Sequence, residues 1–310
     1  MKALLFPGQG SQSVSMGSDL YKNFDLVKKI FKETDDKLNY SLSKVILEGP
    51  ESELKLTKNT QPAILTISYS IFKLITEEFN IQIKNNIKFF AGHSLGEYSA
   101  LVASDSLNFS DAIFLLHERG KSMQEAVPEG KGSMLAVMGL KVEEIKQFIS
   151  QIKKEKGICE IANDNSYNQI ILSGDKEAIE DINKILKENK KKSIFLPVSA
   201  PFHCSLMKPA AKKMEKKIND SIFKTPSIEL VSNVTAKPTK DPSEIKNLLI
   251  QQIFSKVRWR ESIEFMIENG VKELIEIGPG KVLSGLTKRI NDKVLTKSIN
   301  TVEDIKNLND

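Results

Sequence analysis

Lys88-Phe89-Phe90-Ala91-Gly92-His93-Ser94-Leu95-Gly96-Glu97-Tyr98-Ser99-Ala100-Leu101 is the stretch that decides the fold. An apolar run, a serine between glycines and a helix-forming segment follow one another. That is the order strand, nucleophile elbow, helix. At so sharp a turn neighbouring backbones come close to the serine, and a Cβ at either flank would clash. The turn holds Ser94 Oγ in the open and aims the amide N–H groups of the helix start at the same spot, where they stabilise a developing oxyanion. Ser94 is thus the candidate acyl-carrying nucleophile. A chain with 16 glycines and many serines also meets G-x-S-x-G by chance, so the reading depends on its context.

The context is that of a soluble globular protein. At 310 residues the chain buries a large core and forms one large domain with an insert, or two domains. Its 40% hydrophobic and 27% charged content is ordinary, with no low-complexity tract and no internal repeat. No apolar run reaches the length of a membrane span. Residues 1–7 read as a short strand ended by Pro7, too short for a signal-peptide core, so a cytoplasmic protein is expected. Cys159 and Cys204 are far apart and belong to no Cys/His cluster, which suggests neither a disulfide framework nor zinc. Three histidines leave few nitrogen ligands, and no metal is expected. The net charge of +5 suits an acidic partner, although scattered lysines mostly solvate a surface. Basic residues are not interleaved with aromatics, so nucleic-acid binding has no support.

Around the elbow, strand-like runs alternate with amphipathic ones: 2–6, 20–38, 62–79, 87–91, 96–103 and 110–126. Such alternation predicts a parallel sheet covered by helices. Pro62 fits a first helical turn, and Ser110-Asp111 fits an N-cap with an acidic first turn. From about 132 to 197 the order becomes β-α-β-β-α-β, the ferredoxin-like pattern: strand 133–138, helix 142–153, strands 158–163 and 169–173, helix 176–188, strand 193–197. The large domain then resumes with helix 206–218, strand 228–232, helices 242–254 and 261–269, strand 273–277, helix 281–290 and a short C-terminal helix. The expected fold class is α/β, with a large domain over 1–130 and 198–310 and an inserted ferredoxin-like subdomain over 131–197.

A serine hydroxyl needs a base, most often histidine. His93 adjoins Ser94, and neighbouring side chains in an elbow diverge. His117 lies late in a helix, where packing or capping is the usual role. His203, in Pro201-Phe202-His203-Cys204, falls where the insert hands back to the large domain, a place where site residues collect. No acidic residue announces itself as its orienter, and a backbone carbonyl serves as well. Cys204 reads as a small buried packing group. In Phe6-Pro7-Gly8-Gln9-Gly10-Ser11-Gln12 the glycines beside Gln9 let the backbone approach a ligand, or simply make a turn. Gly278-Pro279-Gly280-Lys281 has the wrong spacing for a phosphate loop, and an ATP site is discounted. Arg119 before Gly120 reads on its own as a helix C-terminal cation.

Taken together, residues 6–12, 92–100, Arg119-Gly120, the Asn163/Asn165…Gln169…Gly174 segment, Pro201-Phe202-His203 and Glu276-Ile277-Gly278-Pro279-Gly280 resemble the malonyl-CoA:acyl carrier protein transacylases of bacterial fatty-acid synthesis. The motifs stand in that family's order and spacing, over nearly the whole chain. The resemblance implies an α/β-hydrolase-like large domain with a ferredoxin-like insert. It makes Ser94 the acylated serine and His203 its base, with the N–H groups of Gln9 and Leu95 as oxyanion hole. It makes Arg119 the partner of the free malonyl carboxylate, a task suited to a planar guanidinium. Gln252 matches the residue whose main-chain carbonyl holds the histidine, beside a similar Gln251. Lys256 before Val257-Arg258-Trp259 departs from the family's proline, and Phe202 resembles malonyl-selecting enzymes.

The implied reaction is ping-pong: malonyl passes from malonyl-CoA to Ser94 and then to the phosphopantetheine thiol of acyl carrier protein. No cofactor and a monomer are expected. Lys190–Lys192, Lys212, Lys213, Lys216 and Lys217 are candidates to meet an acidic carrier. Rival readings are a serine esterase or thioesterase, which would want a triad carboxylate and no buried arginine, a catalytically silent carrier-binding module, and a polyketide-loading acyltransferase.

Overall fold

The computed structural model describes residues 1–198 and 200–309; Ser199 and Asp310, both within the span expected of the large domain, lie outside them. Ten strands in chain order are β1 Lys2–Phe6, β2 Ile87–Gly92, β3 Gly132–Met138, β4 Cys159–Ser166, β5 Gln169–Asp175, β6 Lys192–Phe195, β7 Glu229–Val231, β8 Pro238–Thr239, β9 Glu273–Ile277 and β10 Leu295–Ile299.

The first sheet has the order β10-β9-β1-β2-β7-β8 and is parallel except for the β7–β8 pair. Its central strands are buried on both faces, as near-continuous apolar runs require. Along them alternate residues enter different cores: Leu4, Phe6 and Phe90 join one apolar cluster, Ala3, Leu5, Phe89 and Ala91 the other, which holds Trp259. That is the two-residue period of a strand expressed as two covered faces. The chain leaves β1 towards β2 on one side and later fills β9 on the other, so the strand order switches at β1, where α/β sheets bind ligands at their carboxyl ends. The pairing Phe6↔Gly92 sets the loops after β1 and β2 side by side at that point.

The second sheet, order β4-β5-β3-β6, is antiparallel throughout. Helices Val142–Ile149 and Lys176–Glu188 cover one of its faces through Leu135, Val137, Ile145, Ile170, Leu172, Ile179 and Ile182. Met134, Ala136, Ala162 and Ile171 on the other face belong to the core of the large sheet. A bridge from Asn163 to Val257, with Asp164 N–H to Val257 carbonyl at 3.0 Å and Val257 N–H to Ala162 carbonyl at 2.8 Å, ties the two parts.

Several local expectations are corrected. The helix expected from Pro62 begins at Thr57 and runs to Lys73, with Pro62 inside it. Pro62 has no N–H for the Lys58 carbonyl, and the His117 ring fills the gap, its Nδ1 3.1 Å from that oxygen. Asn59 and Gln61, which look like a polar lead-in, are buried and bonded, Asn59 Nδ2 to the Glu53 carbonyl at 2.9 Å. The N-cap of helix Phe109–Glu125 is Asn108, not Ser110, because its Oδ1 accepts the Ser110 N–H at 2.9 Å. Gly120 lies inside that helix, so Arg119 is no C-terminal cation. The run 20–38 splits at Phe24 into Ser18–Asn23 and Asp25–Leu38. Helix 142–153 stops at Ile149, and β10 was not expected because its apolar residues are few.

Candidate active site

Ser94 has φ 53°, a left-handed conformation that a non-glycine residue holds only under constraint. The constraint is visible: its N–H donates to Asn233 Oδ1 at 2.7 Å, and its carbonyl accepts from Gln252 Nε2 at 2.9 Å. The flanking glycines are required sterically. A Cβ on Gly92 would fall on the Gly96 carbonyl group, and one on Gly96 on the Phe6 carbonyl oxygen.

Ser94 Oγ lies 2.7 Å from His203 Nε2, and His203 Nδ1 lies 2.8 Å from the Gln252 carbonyl. Helix Pro242–Gln252 ends at this residue, and the last carbonyls of a helix lack partners within it. A carbonyl only accepts, so Nδ1 carries the proton and Nε2 faces Ser94 as acceptor. Burial first, and the nearby Arg119 cation second, push the His203 pKa down to about 3 against the pull of the Gln252 carbonyl. The ring is therefore neutral at physiological pH. The neighbouring Gln251 is exposed, which separates the two glutamines of the sequence.

Arg119 is 1% exposed and reaches the same oxygen: Nη2 donates to Ser94 Oγ at 3.1 Å and to Gln252 Oε1 at 2.7 Å, and Nη1 donates to Gln61 Oε1 at 2.6 Å. Its Nε has no partner, and its bonds go to amide and hydroxyl oxygens, none to a carboxylate among the described residues. Gly120 explains how it gets there, since a Cβ at that position would meet Lys58 Cα at 2.6 Å. Only a glycine lets the two helices approach this closely.

Gln9 and Leu95 line the same cavity. Gln9 Oε1 accepts from Thr57 Oγ1 at 2.9 Å, and Gln61 Nε2 donates to Thr57 Oγ1 at 3.0 Å, so a chain of polar groups joins the loop after β1 to Arg119. Gly8 passes against the elbow, where a Cβ would stand 2.6 Å from the His93 carbonyl oxygen. The cavity is about 240 Å³, and Met134, Ile171 and Phe202 close it from the apolar side.

The remaining candidates have structural partners. His93 Nε2 lies 2.8 Å from Asn165 Oδ1, and its ring centroid 5.4 Å from that of Trp259. Cys204 is buried, with Sγ 3.1 Å from the Pro201 carbonyl. Glu276 accepts the N–H groups of Leu283 at 3.0 Å and Ser284 at 2.8 Å, which makes the Gly278-Pro279-Gly280 turn the entry to a capped helix. Lys256 pairs with Glu261 at 3.3 Å. Lys213 and Lys217 brace helices through Glu125 and Glu118, each at 3.0 Å.

Sequence reasoning missed Gln61, Glu97 and Asn233. Asn233 follows a strand end and carried no pattern; Glu97 sits in the elbow itself, where an acid in a helix's first turn reads as a surface residue. In the structure Glu97 is 1% exposed. Burial pushes its pKa up to about 8, against hydrogen bonds from Asn233 and Gln252 and the charge of Arg119.

A half-buried serine on a strand–helix elbow, paired with a buried histidine beside an arginine and under a small antiparallel sheet, defines a class, and a family model for it, the acyl transferase domain, matches residues 3–306. The malonyl CoA-acyl carrier protein transacylase of Bacillus subtilis (strain 168) is 43% identical to this chain over 98% of its length and 94% of the relative's. An acyl-carrier-protein-S-malonyltransferase from Bartonella henselae superposes with a TM-score of 0.95 at 42% identity, over 99% of this chain and 97% of that one. A type II PKS acyl-carrier protein in complex with its malonyl-transacylase superposes with a TM-score of 0.94 at 40% identity, over 98% and 97%. The chain belongs to the malonyl CoA-acyl carrier protein transacylase family of acyl transferases. No helix among the described residues is long and apolar enough to cross a membrane.

Proposed function

We propose that this protein moves malonyl from malonyl-CoA to the phosphopantetheine thiol of an acyl carrier protein, in two half-reactions through a malonyl ester on Ser94. The observation that carries the reading is the meeting of two groups at one oxygen: His203 Nε2 at 2.7 Å and Arg119 Nη2 at 3.1 Å from Ser94 Oγ.

In the first half-reaction Ser94 Oγ attacks the thioester carbonyl while its proton passes to His203 Nε2. The carbon–sulfur bond then breaks, and coenzyme A leaves with that proton. The developing oxyanion takes the N–H groups of Gln9 and Leu95, which flank Ser94 from the loop after β1 and from the elbow. In the second half the carrier's thiol gives its proton to His203 and takes the acyl group, restoring the serine. One thioester replaces another, so excluding water matters more than driving force. The mostly apolar lining of the cavity and the contact of His203 Nδ1 with the Gln252 carbonyl at 2.8 Å, in place of a carboxylate, fit a transferase better than a hydrolase.

Arg119 selects the acyl group. A buried cation without a carboxylate partner is costly, and the free carboxylate of malonyl supplies one through two parallel hydrogen bonds. Phe202, at the cavity wall, crowds an α-methyl branch. No cofactor or metal enters this scheme. The setting that fits is fatty-acid synthesis in the cytoplasm by a monomer, with carrier protein drawn by surface lysines such as Lys212 and Lys216. The 131–197 insert supplies the roof of the site. A polyketide carrier is the second acceptor to try, given the structure of such a carrier with its own malonyl-transacylase.

Mixing the protein with malonyl-CoA and mapping the modified peptide by mass spectrometry tests the reading. Malonyl on Ser94, discharged by holo carrier protein, is expected; label at another residue, or fast release of free malonate with no carrier present, defeats it.

A further inference from the structure

The mechanism above gives Glu97 no task, yet two arms of the site end on its carboxyl. Oε1 accepts the Asn233 N–H at 2.6 Å, and Oε2 is in contact with Gln252 Nε2. Asn233 in turn grips the elbow twice, by accepting the Ser94 N–H at 2.7 Å and donating to the Gly92 carbonyl at 2.8 Å. Gln252 grips it once more at the Ser94 carbonyl, 2.9 Å, while its Oε1 takes Arg119 Nη2 at 2.7 Å and its main-chain carbonyl takes His203 Nδ1 at 2.8 Å.

The left-handed backbone of Ser94, the tautomer of His203 and the place of Arg119 therefore all pass through two amide residues, Asn233 and Gln252. Each is tied to the same carboxyl. An amide side chain rotates freely about its last bonds unless something fixes it. The Gln252 side chain is held by Arg119 at Oε1 and by the Ser94 carbonyl and Glu97 at Nε2, and Glu97, three residues from the nucleophile and fully enclosed, is the one of these that also fixes Asn233. A carboxyl at this depth, with one oxygen given to each amide residue, is placed to hold geometry rather than to meet solvent.

We propose that Glu97 is a positioning residue that fixes the Gln252 side chain and the Asn233 main chain, and through them aligns Ser94 with His203. The inference rests on the reading of Ser94 and His203 as nucleophile and base. Displacement of reacting groups by about 1 Å costs on the order of a hundredfold in rate. Glu97→Ala is therefore expected to slow single-turnover acylation of Ser94 by roughly 10- to 100-fold, with malonyl-CoA and acetyl-CoA alike. Glu97→Gln keeps the length of the arm and one acceptor oxygen for the Asn233 N–H but sets an amide donor against Gln252 Nε2, and is expected to recover part of the rate.

The experiment compares wild type, Glu97→Ala, Glu97→Gln and Glu97→Asp, each checked for folding by circular dichroism, in single-turnover acylation and in inactivation by a small sulfonyl fluoride. The sulfonyl fluoride reads the Ser94–His203 pair without any carboxylate for Arg119. Parallel slowing of both reactions in Glu97→Ala supports the proposal, and partial recovery in Glu97→Gln supports it further. Folded Glu97→Ala reacting within about twofold of wild type, or slowed with malonyl-CoA but not with the sulfonyl fluoride, overturns it. Where Glu97→Ala does not fold, Glu97→Asp decides, since it keeps the acid and withdraws it by one methylene: slowing supports the proposal and a native rate overturns it. If wild type forms no malonyl-serine, the functional reading fails, but the sulfonylation rates still report whether Glu97 aligns the pair.

Discussion

The guanidinium of Arg119 donates across 3.1 Å to Ser94 Oγ, the same oxygen that His203 Nε2 meets at 2.7 Å. A neutral imidazole and a fixed cation thus share one hydroxyl, and among the described residues no carboxylate pairs with the cation. In the proposed function the base makes Ser94 reactive and the arginine selects the acyl group, a pairing a plain serine hydrolase does not need.

Replacing Arg119 with alanine is expected to lower malonyl loading by roughly 30- to 1000-fold, the loss of a charge-assisted bidentate pair of about 2–4 kcal/mol. Acetyl loading, which offers no carboxylate, should fall far less. The check is the malonyl-to-acetyl ratio of acyl-enzyme by mass spectrometry, a ratio that partial unfolding would leave unchanged. Equal loss for both substrates would make Arg119 structural.

His203 is expected to stay a competent base in mild acid. Its pKa lies near 3, below the usual 6.5, because the ring is buried beside Arg119. The free enzyme's kcat/KM for malonyl transfer reports that group, so it should stay flat from about pH 8 to pH 5.5. A tenfold fall centred near pH 6.5 would show a solvated imidazole instead.

Glu97 should make stability depend on pH. Its folded pKa of about 8 stands above the ordinary 4.5, so between these values the folded state holds the extra proton and is favoured on the acid side. Stability contributed in this way is lost as pH rises from about 4.5 through 8, on the order of a few kcal/mol for a fully buried group. Thermal midpoints of wild type and Glu97→Gln measured from pH 5 to pH 9 should therefore diverge, with the wild type losing ground at high pH. Parallel curves would mean that Glu97 titrates normally.

Gly96→Ala should destabilise the protein by about 3 kcal/mol or more, since the new Cβ falls on backbone at the Phe6 carbonyl, which cannot rotate away. Gly130→Ala, at a turn where nothing lies within 4 Å, is the control for an added methyl; its cost is limited to its positive φ. Chemical denaturation of the two variants gives the comparison, and a Gly96→Ala as stable as wild type would contradict the steric argument.

Much of this was legible in the chain. The strand–glycine–serine–glycine–helix order, the β-α-β-β-α-β run and the apolar strands are local patterns, and local patterns are dictated by periodicity and by the steric demands of single residues. Helix Lys176–Glu188 and strand Glu273–Ile277 have the bounds their periodicity predicts. Pro62 and Ser110 misled because a helix start is decided by what its polar groups find to bond with, and those partners, His117 and Asn108, are invisible to a pattern.

The sequence by itself therefore determined which residues are chemically able to act: a serine that must stand at a turn, a histidine at a junction, an arginine before a glycine. The tertiary structure alone decided how they are held. Glu97, Asn233 and Gln252 lie more than 130 residues apart along the chain at the extremes, and only the packing of three segments against the end of the sheet turns them into one network. The reason is physical. A hydrogen bond between side chains depends on angles and distances fixed to fractions of an ångström, whereas sequence spacing carries direction only within a single helix or strand.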